Sequence, residues 1–237
     1  MKMKNDKILL GPDKLVFDLD DKFSSNLKTV GLALSGGIES IALLLLLLRR
    51  YGNENVHAFS AYIKERRLWE SEHAEKIAKE LGLKHFSIVD AGFRVMSPDE
   101  HLILIKKAYE KMAFDGWFIG SNHLLFSDSF KPTVKQKIFM KENKIYTPFI
   151  DLYKYHTIDI YFKTDFKDLL YKTFSCTERG DIHCGKCYCC YERVRGFAML
   201  NEIDKAPYAL SWEEMLNACY YSAEFIIDKQ CNKSKKP

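Results

Sequence analysis

Two groups of residues in this 237-residue chain have types and spacings that can do chemistry. The first is Ser35-Gly36-Gly37-Ile38-Glu39-Ser40, set between the apolar run ending at Leu34 and a leucine-rich segment. Paired glycines let a backbone take positive φ and approach a ligand closely. Ser35 and Ser40 add hydroxyl donors. A helix opening near Glu39 would turn its free amides and the positive end of its dipole on the turn. The combination suits a phosphate or pyrophosphate. It is not a Walker A loop, because Gly-Lys-Ser/Thr is missing, and not a dinucleotide fingerprint, because the third glycine is missing.

The second group is Cys176, Cys184, Cys187 and Cys190. Five of the seven cysteines fall within residues 176–190, and an odd number crowded locally points to metal rather than to disulfides. Four thiolates arranged tetrahedrally suit zinc. An iron–sulfur cluster also takes four cysteines, and the spacing does not exclude it. His183 and Cys189 stand beside the set as spare ligands.

The elements that must position these groups alternate. Lys28–Leu34 reads as a buried strand, Glu39–Arg50 as a helix buried on most sides, and Val56–Tyr62 as a second strand. A helix over 69–81 stops at Gly82, and His85–Asp90 is a third strand. Ser97-Pro98-Asp99-Glu100 carries the start signals of a helix reaching Met112. Trp117–Gly120 is a fourth strand, residues after Ser121 are a loop including Ser127-Asp128-Ser129 and Pro132, and Lys144–Phe149 is a last strand. Helices are expected over 157–171, 191–202 and 211–227, and a hairpin over 7–20 turning at Gly11-Pro12. Strand–helix alternation predicts an α/β fold of Rossmann type, a parallel sheet with helices on both faces, plus a C-terminal helical zinc-binding extension. The expected units are 1–155 for nucleotide binding, 156–228 for the helical segment with the cysteine site, and 229–237 as a basic tail.

Composition sets limits. The longest apolar run, Ile41–Leu48, is far short of the roughly 20 residues that span a bilayer. With 47% hydrophobic and 29% charged residues and no signal-type start, a cytoplasmic globular protein is expected. Net charge is +4, but residues 1–7 carry +2 and residues 229–237 carry +4, leaving −2 on the body. That argues against a nucleic-acid footprint, which requires a basic face on the fold.

Leu34–Ser40 resembles the SGGxDS signature of PP-loop pyrophosphatases, with Glu39 where that class has aspartate. Ser175-Cys176, Cys184-Gly185-Lys186-Cys187-Tyr188-Cys189-Cys190 and Arg193–Phe197 resemble the serine-cysteine, CGxCxxC and RxxGF motifs of the 7-cyano-7-deazaguanine synthase (QueC) family. Thr147–Lys154 resembles its TPLxxLxK segment, and Gly120-Ser121-Asn122 with Ser127-Asp128-Ser129 its GxN…YPDC loop. The resemblance implies an adenine nucleotide alpha hydrolase-like fold and two ATP-consuming steps. The carboxylate of 7-carboxy-7-deazaguanine is adenylated, ammonia displaces AMP, and a second activation yields the nitrile of queuosine and archaeosine biosynthesis. It implies Leu34, Ser35, Gly36, Gly37, Ser40, Tyr62, Gly120, Ser121 and Asn122 around ATP, and Ser35, Glu39, Asp128 and Lys154 as catalytic groups. Mg2+ would accompany ATP and structural Zn2+ the four thiolates; the chain could pair as a homodimer. The strand ending at Tyr62 continues Ile63-Lys64-Glu65-Arg66-Arg67 rather than in a YGQRH-like motif, and Met96–Glu100 replaces a PGRN-like loop. Those departures leave open a different amine acceptor, such as a protein, as QueC-like proteins of antiviral defence suggest, or a nucleotide-binding module without activity.

Overall fold

A computed structural model describes residues 7–62, 68–90, 110, 113–122, 133–178 and 182–218. The expected loop at Asp128, nearly all of the 97–112 helix, the end of the 211–227 helix and the basic tail lie outside these residues.

The described residues open with an antiparallel hairpin, β1 (Lys7–Leu10) and β2 (Leu15–Asp18), turning at Gly11 as expected, followed by the short α1 (Leu19–Lys22). The main sheet follows as β3 (Val30–Ala33), β4 (Val56–Tyr62), β5 (His85–Asp90), β6 (Gly116–Ile119) and β7 (Ile145–Tyr146). All five strands are parallel, in the order β5-β4-β3-β6-β7. Helices α2 (Ile38–Tyr51) and α3 (Leu68–Glu80) connect the first three strands. The chain then returns to the other side of β3 to lay down β6, so strand order reverses between β3 and β6. Parallel α/β sheets bind ligands at such a switch point, beyond the carboxyl ends of the strands.

Both faces of the sheet are covered. On one, Val30 and Leu32 pack with the buried run Ile41–Leu47 of α2, with Ala74 and Ile77 of α3, and with Ile158 and Tyr161 further along the chain. On the other, Phe59, Phe114, Trp117 and Ile145 form a second cluster closed by Phe139 and Met140. Burying one large aliphatic side chain contributes about 1.5–3 kcal/mol, which explains why the leucine run of α2 faces inward nearly all round.

Several elements differ from the sequence reading. The last strand shrinks to two residues: Lys144 takes φ +52°, and Pro148 opens a turn in which the Ile150 N–H bonds the Thr147 carbonyl. Helix α4 (Val134–Glu142) fills part of the expected loop, held by a capping box between Thr133 and Gln136. Helix α5 (Lys154–Phe162) begins at Lys154, because the His156 ring Nδ1 accepts the Tyr153 N–H at 3.1 Å and caps the helix there. It breaks at Lys163 before α6 (Lys167–Leu170) resumes. Helix α7 (Tyr188–Met199) begins directly on the cysteine turn, with Cys187 as its N-cap. Helical residues 212–218 follow Ser211, whose hydroxyl accepts the Glu214 N–H. Among the described residues no helix is long and apolar enough to cross a membrane.

Candidate functional site

The loop after β3 and the loop after β6 meet at the switch point. Within the first, Gly36 takes φ +79°, the left-handed conformation that favours glycine, while Gly37 is extended and N-caps α2. The glycine whose freedom the turn requires is therefore Gly36. Among the described residues no side chain caps α2, which leaves its first amides available to an anion. The two serines define the loop internally: the Ser35 and Ser40 hydroxyls lie 3.1 Å apart, the Ser35 N–H donates to Ser40 Oγ, and Ser40 Oγ donates to the Gly37 carbonyl. Leu34 is buried beneath them.

Gly120, at the end of β6, lies against the first turn of α2. A Cβ there would come within 2.8–2.9 Å of the backbone of Glu39 and Ser40. This approach places Asn122 beside Glu39, and Asn122 Nδ2 donates to Glu39 Oε1 at 2.9 Å. The same oxygen forms an ion pair with Lys154 Nζ, the first residue of α5. Lys154 is 6% exposed, and Glu192 of α7 lies 4.0 Å from its ammonium. Burial opposes the charge on Lys154, but the two carboxylates outweigh it and hold its pKa above the ordinary lysine value. Helix α5 is fixed on α2 by the buried Tyr161 hydroxyl, which donates to the Ile38 carbonyl at 2.7 Å.

Ser35, Gly36, Gly37, Glu39, Ser40, Gly120, Asn122 and Lys154 thus come together, with Ser121 exposed between Gly120 and Asn122. The backbone of Tyr62 ends β4; its side chain, like Asp128, lies outside what is described. Sequence reasoning missed Glu192. Its only signal was an acid on a helix four residues from Gly196, on the side turned to α5.

Cys176, Cys184, Cys187 and Cys190 place their sulfurs within 4.8 Å of one another, with closest approaches of 3.4 and 3.9 Å. Four thiolates at about 2.3 Å from one ion would stand about 3.8 Å apart, so the donor set fits a single tetrahedral metal. Backbone N–H groups of Lys186 and Cys187 donate to Cys184 Sγ, the geometry of a tight metal-binding turn, and Gly185 takes φ +69° to form it. Cys189 stays outside the tetrad, and burial pushes its thiol up to about 11. His183 is no ligand here: it is buried, its Nε2 accepts the Ser175 N–H, and burial lowers its pKa to about 4.

The cysteine segment and the glycine loop are joined. The Phe174 N–H donates to the Gly36 carbonyl at 3.0 Å, two residues before Cys176. Arg193 lies wholly inside the structure, where its guanidinium donates to Asp204 and to Thr173 and the Leu170 carbonyl, so it braces the segment rather than the loop.

A doubly wound parallel sheet with a Ser-Gly-Gly turn at its switch point is the architecture of the PP-loop ATP pyrophosphatases, and the chain resembles that class. More narrowly it resembles the QueC family: residues 121–201 match the family model for "Queuosine biosynthesis protein QueC", and residues 25–119 match that for "Asparagine synthase". No curated protein matches the chain in sequence. Among solved structures, the glutamine-dependent NAD+ synthetase from Acinetobacter baumannii in complex with ADP is 16% identical, with TM-score 0.41, over 62% of this chain and 30% of its own; the chain thus spans under a third of that protein. The U34-tRNA thiolase NcsA from Methanococcus maripaludis with its [4Fe-4S] cluster is 17% identical, with TM-score 0.46, over 86% of this chain and 74% of its own. The NH3-dependent NAD synthetase from Campylobacter jejuni is 17% identical, with TM-score 0.42, over 90% of each chain.

Proposed function

We propose that the protein is an AMP-forming ligase that activates a carboxylate with ATP, and that 7-carboxy-7-deazaguanine and ammonia are its substrates. The observation that carries this is the meeting of Glu39, Asn122 and Lys154 at the mouth of the glycine loop, within a chain whose residues 121–201 match the QueC family model.

In this reading the free amides of α2 and the Gly36 turn hold the phosphates. Carboxylate oxygen attacks the α-phosphorus, the α–β bond breaks, and pyrophosphate leaves. Lys154 compensates charge on the transferring phosphates, and the buried site strengthens its effect. Glu39, with Asn122 fixing its Oε1, is the carboxylate that would hold magnesium, and the ion would supply charge neutralisation to the leaving pyrophosphate. Ammonia then displaces AMP to give the amide, and a second ATP activates the amide oxygen so that loss of AMP leaves the nitrile. Tyr62 and Ser121 are assigned to nucleotide binding and Asp128 to catalysis. We assign the thiolate tetrad to structural zinc, because a single ion fits its sulfur spacing and four protein ligands leave no open position for water. The division into 1–155, 156–228 and 229–237, and a cytoplasmic setting, belong to this same proposal.

A second reading has its own support. Residues 25–119 match the asparagine synthase model rather than that of QueC, and they contain the departures at 63–67 and 96–100. An acceptor amine other than ammonia, including a protein amine, fits that pattern. Mass spectrometry after incubation with ATP, magnesium, ammonia and 7-carboxy-7-deazaguanine tests the primary reading: a product carrying the nitrile, or the intermediate amide, is expected. Unchanged acid alongside AMP release would shift the assignment to another acceptor or acyl substrate.

A further inference from the structure

We propose that Glu192 is a positioning residue that keeps Lys154 paired when Glu39 exchanges Lys154 for magnesium-bound nucleotide. This rests on the assignment of the glycine loop to ATP and magnesium. Lys154 is a buried cation with two carboxylates on it, and the two are not equivalent. Glu39 stands on the ligand side: it belongs to the loop, its side chain keeps 13% exposure, and it shares one oxygen between Lys154 and Asn122. Glu192 stands on the protein side: it is 4% exposed, 4.0 Å from Lys154, and its other oxygen accepts the Tyr188 hydroxyl at 3.0 Å. Helix α7 is pressed against α5 there, since a Cβ on Gly196 would meet Lys154 Cγ at 3.0 Å and Ile158 Cδ1 at 2.7 Å.

Removing one partner from a buried ion pair leaves a desolvated charge, which is strongly unfavourable. If Glu39 were the only carboxylate on Lys154, drawing Glu39 to a metal would leave the buried ammonium without a protein counter-ion until the phosphates engaged it. Glu192 removes that obstacle. It holds the ammonium from behind, at a distance that can tighten, so Glu39 is free to change partner while Lys154 stays charged and aimed at the phosphates. Deep burial of a carboxylate is otherwise costly, and the Lys154 ammonium beside Glu192 accounts for it.

The test measures binding of a non-cleavable α,β-methylene ATP analogue to the full, metal-replete chain, with magnesium and with EDTA, by calorimetry. Glu192→Gln, close in shape and still able to accept from Tyr188, is expected to weaken magnesium-dependent binding about tenfold, and EDTA-condition binding less than twofold. In a Glu39→Gln background it should cost less than twofold in either condition. Glu192→Asp, which keeps the charge but retracts it by one carbon, is the second variant. It should weaken magnesium-dependent binding about threefold, again only where Glu39 is present. Equal losses in both backgrounds, or no loss in the wild-type background, would overturn the role of Glu192 while leaving the nucleotide assignment standing. Failure of the wild type to bind the analogue in either condition would overturn that assignment, and this inference with it.

Discussion

Asn122 Nδ2 and Glu39 Oε1, 83 residues apart in sequence, meet at 2.9 Å across the switch point of the sheet. The bond ties the end of β6 to the first turn of α2 and fixes the oxygen that also pairs with Lys154. Glutamate at this position therefore has partners matched to its length. Glu39→Asp should retract the carboxylate from both and lower the rate of AMP formation about tenfold, a loss of about 1.4 kcal/mol in the transition state. Asn122→Ala should lose about one hydrogen bond and fall several-fold. A faster Glu39→Asp enzyme in steady-state assays would mean that the site is suited to aspartate and that Glu39 is a misfit.

Gly36 is the conformational hinge of the loop. An alanine there would take φ near +79°, at a cost of about 1–2 kcal/mol, and its Cβ would lie 3.2 Å from the Ala74 nitrogen. Gly36→Ala should weaken ATP binding about tenfold or more in calorimetry, with metal content unchanged. Gly37→Ala meets only ordinary contacts, Ser35 Oγ at 3.4 Å, and takes an extended φ, so it should fold without strain. Equal losses of thermal stability from the two variants would contradict this distinction.

The metal tetrad should behave as part of the fold. Elemental analysis is expected to give one zinc per chain, and Cys184→Ser should lower recovery of soluble protein and thermal stability together, because metal binding of this kind is folding energy. Through the Phe174 bond to Gly36, metal removal should also weaken nucleotide binding. A metal-free preparation with full thermal stability would refute the assignment, and iron with inorganic sulfide would replace zinc by a cluster.

Arg193 and Asp204 form a fully buried pair, and removing one partner should cost about 3–5 kcal/mol. Burial pushes the Asp204 carboxyl upward, but Arg193 outweighs it and holds the pKa below the usual aspartate value. A depressed folded pKa gives stability that is fully present above the unfolded value, about 3.9, and is lost as pH falls through the folded one. Acid titration of unfolding should show this loss in the wild type below about pH 4. Asp204→Asn should be less stable at neutral pH and should show less of that acid dependence.

The sheet was legible because its strands announce themselves: β4 and β5 match the expected ranges, and the apolar run of α2 has no breaker before Gly52. The loop and the tetrad were legible because glycine and cysteine have few other reasons to cluster. Helix α4 was not, although Thr133 and Gln136 spell a capping box, because its exposed Val134 and Ile138 give no inward stripe. The start of α5 was missed because the cap is a histidine reaching back from the third position. Glu192 escaped notice for a deeper reason. Its meaning lies in the packing of α7 on α5 and in a partner 38 positions away, and no local pattern encodes a counter-ion.

The central claim is that this site breaks the α–β bond of ATP. Phosphorus NMR of ATP and magnesium with the metal-replete protein, 7-carboxy-7-deazaguanine and ammonia reads that bond directly. AMP and pyrophosphate should accumulate together, with the acid consumed. ADP and orthophosphate instead would contradict the account.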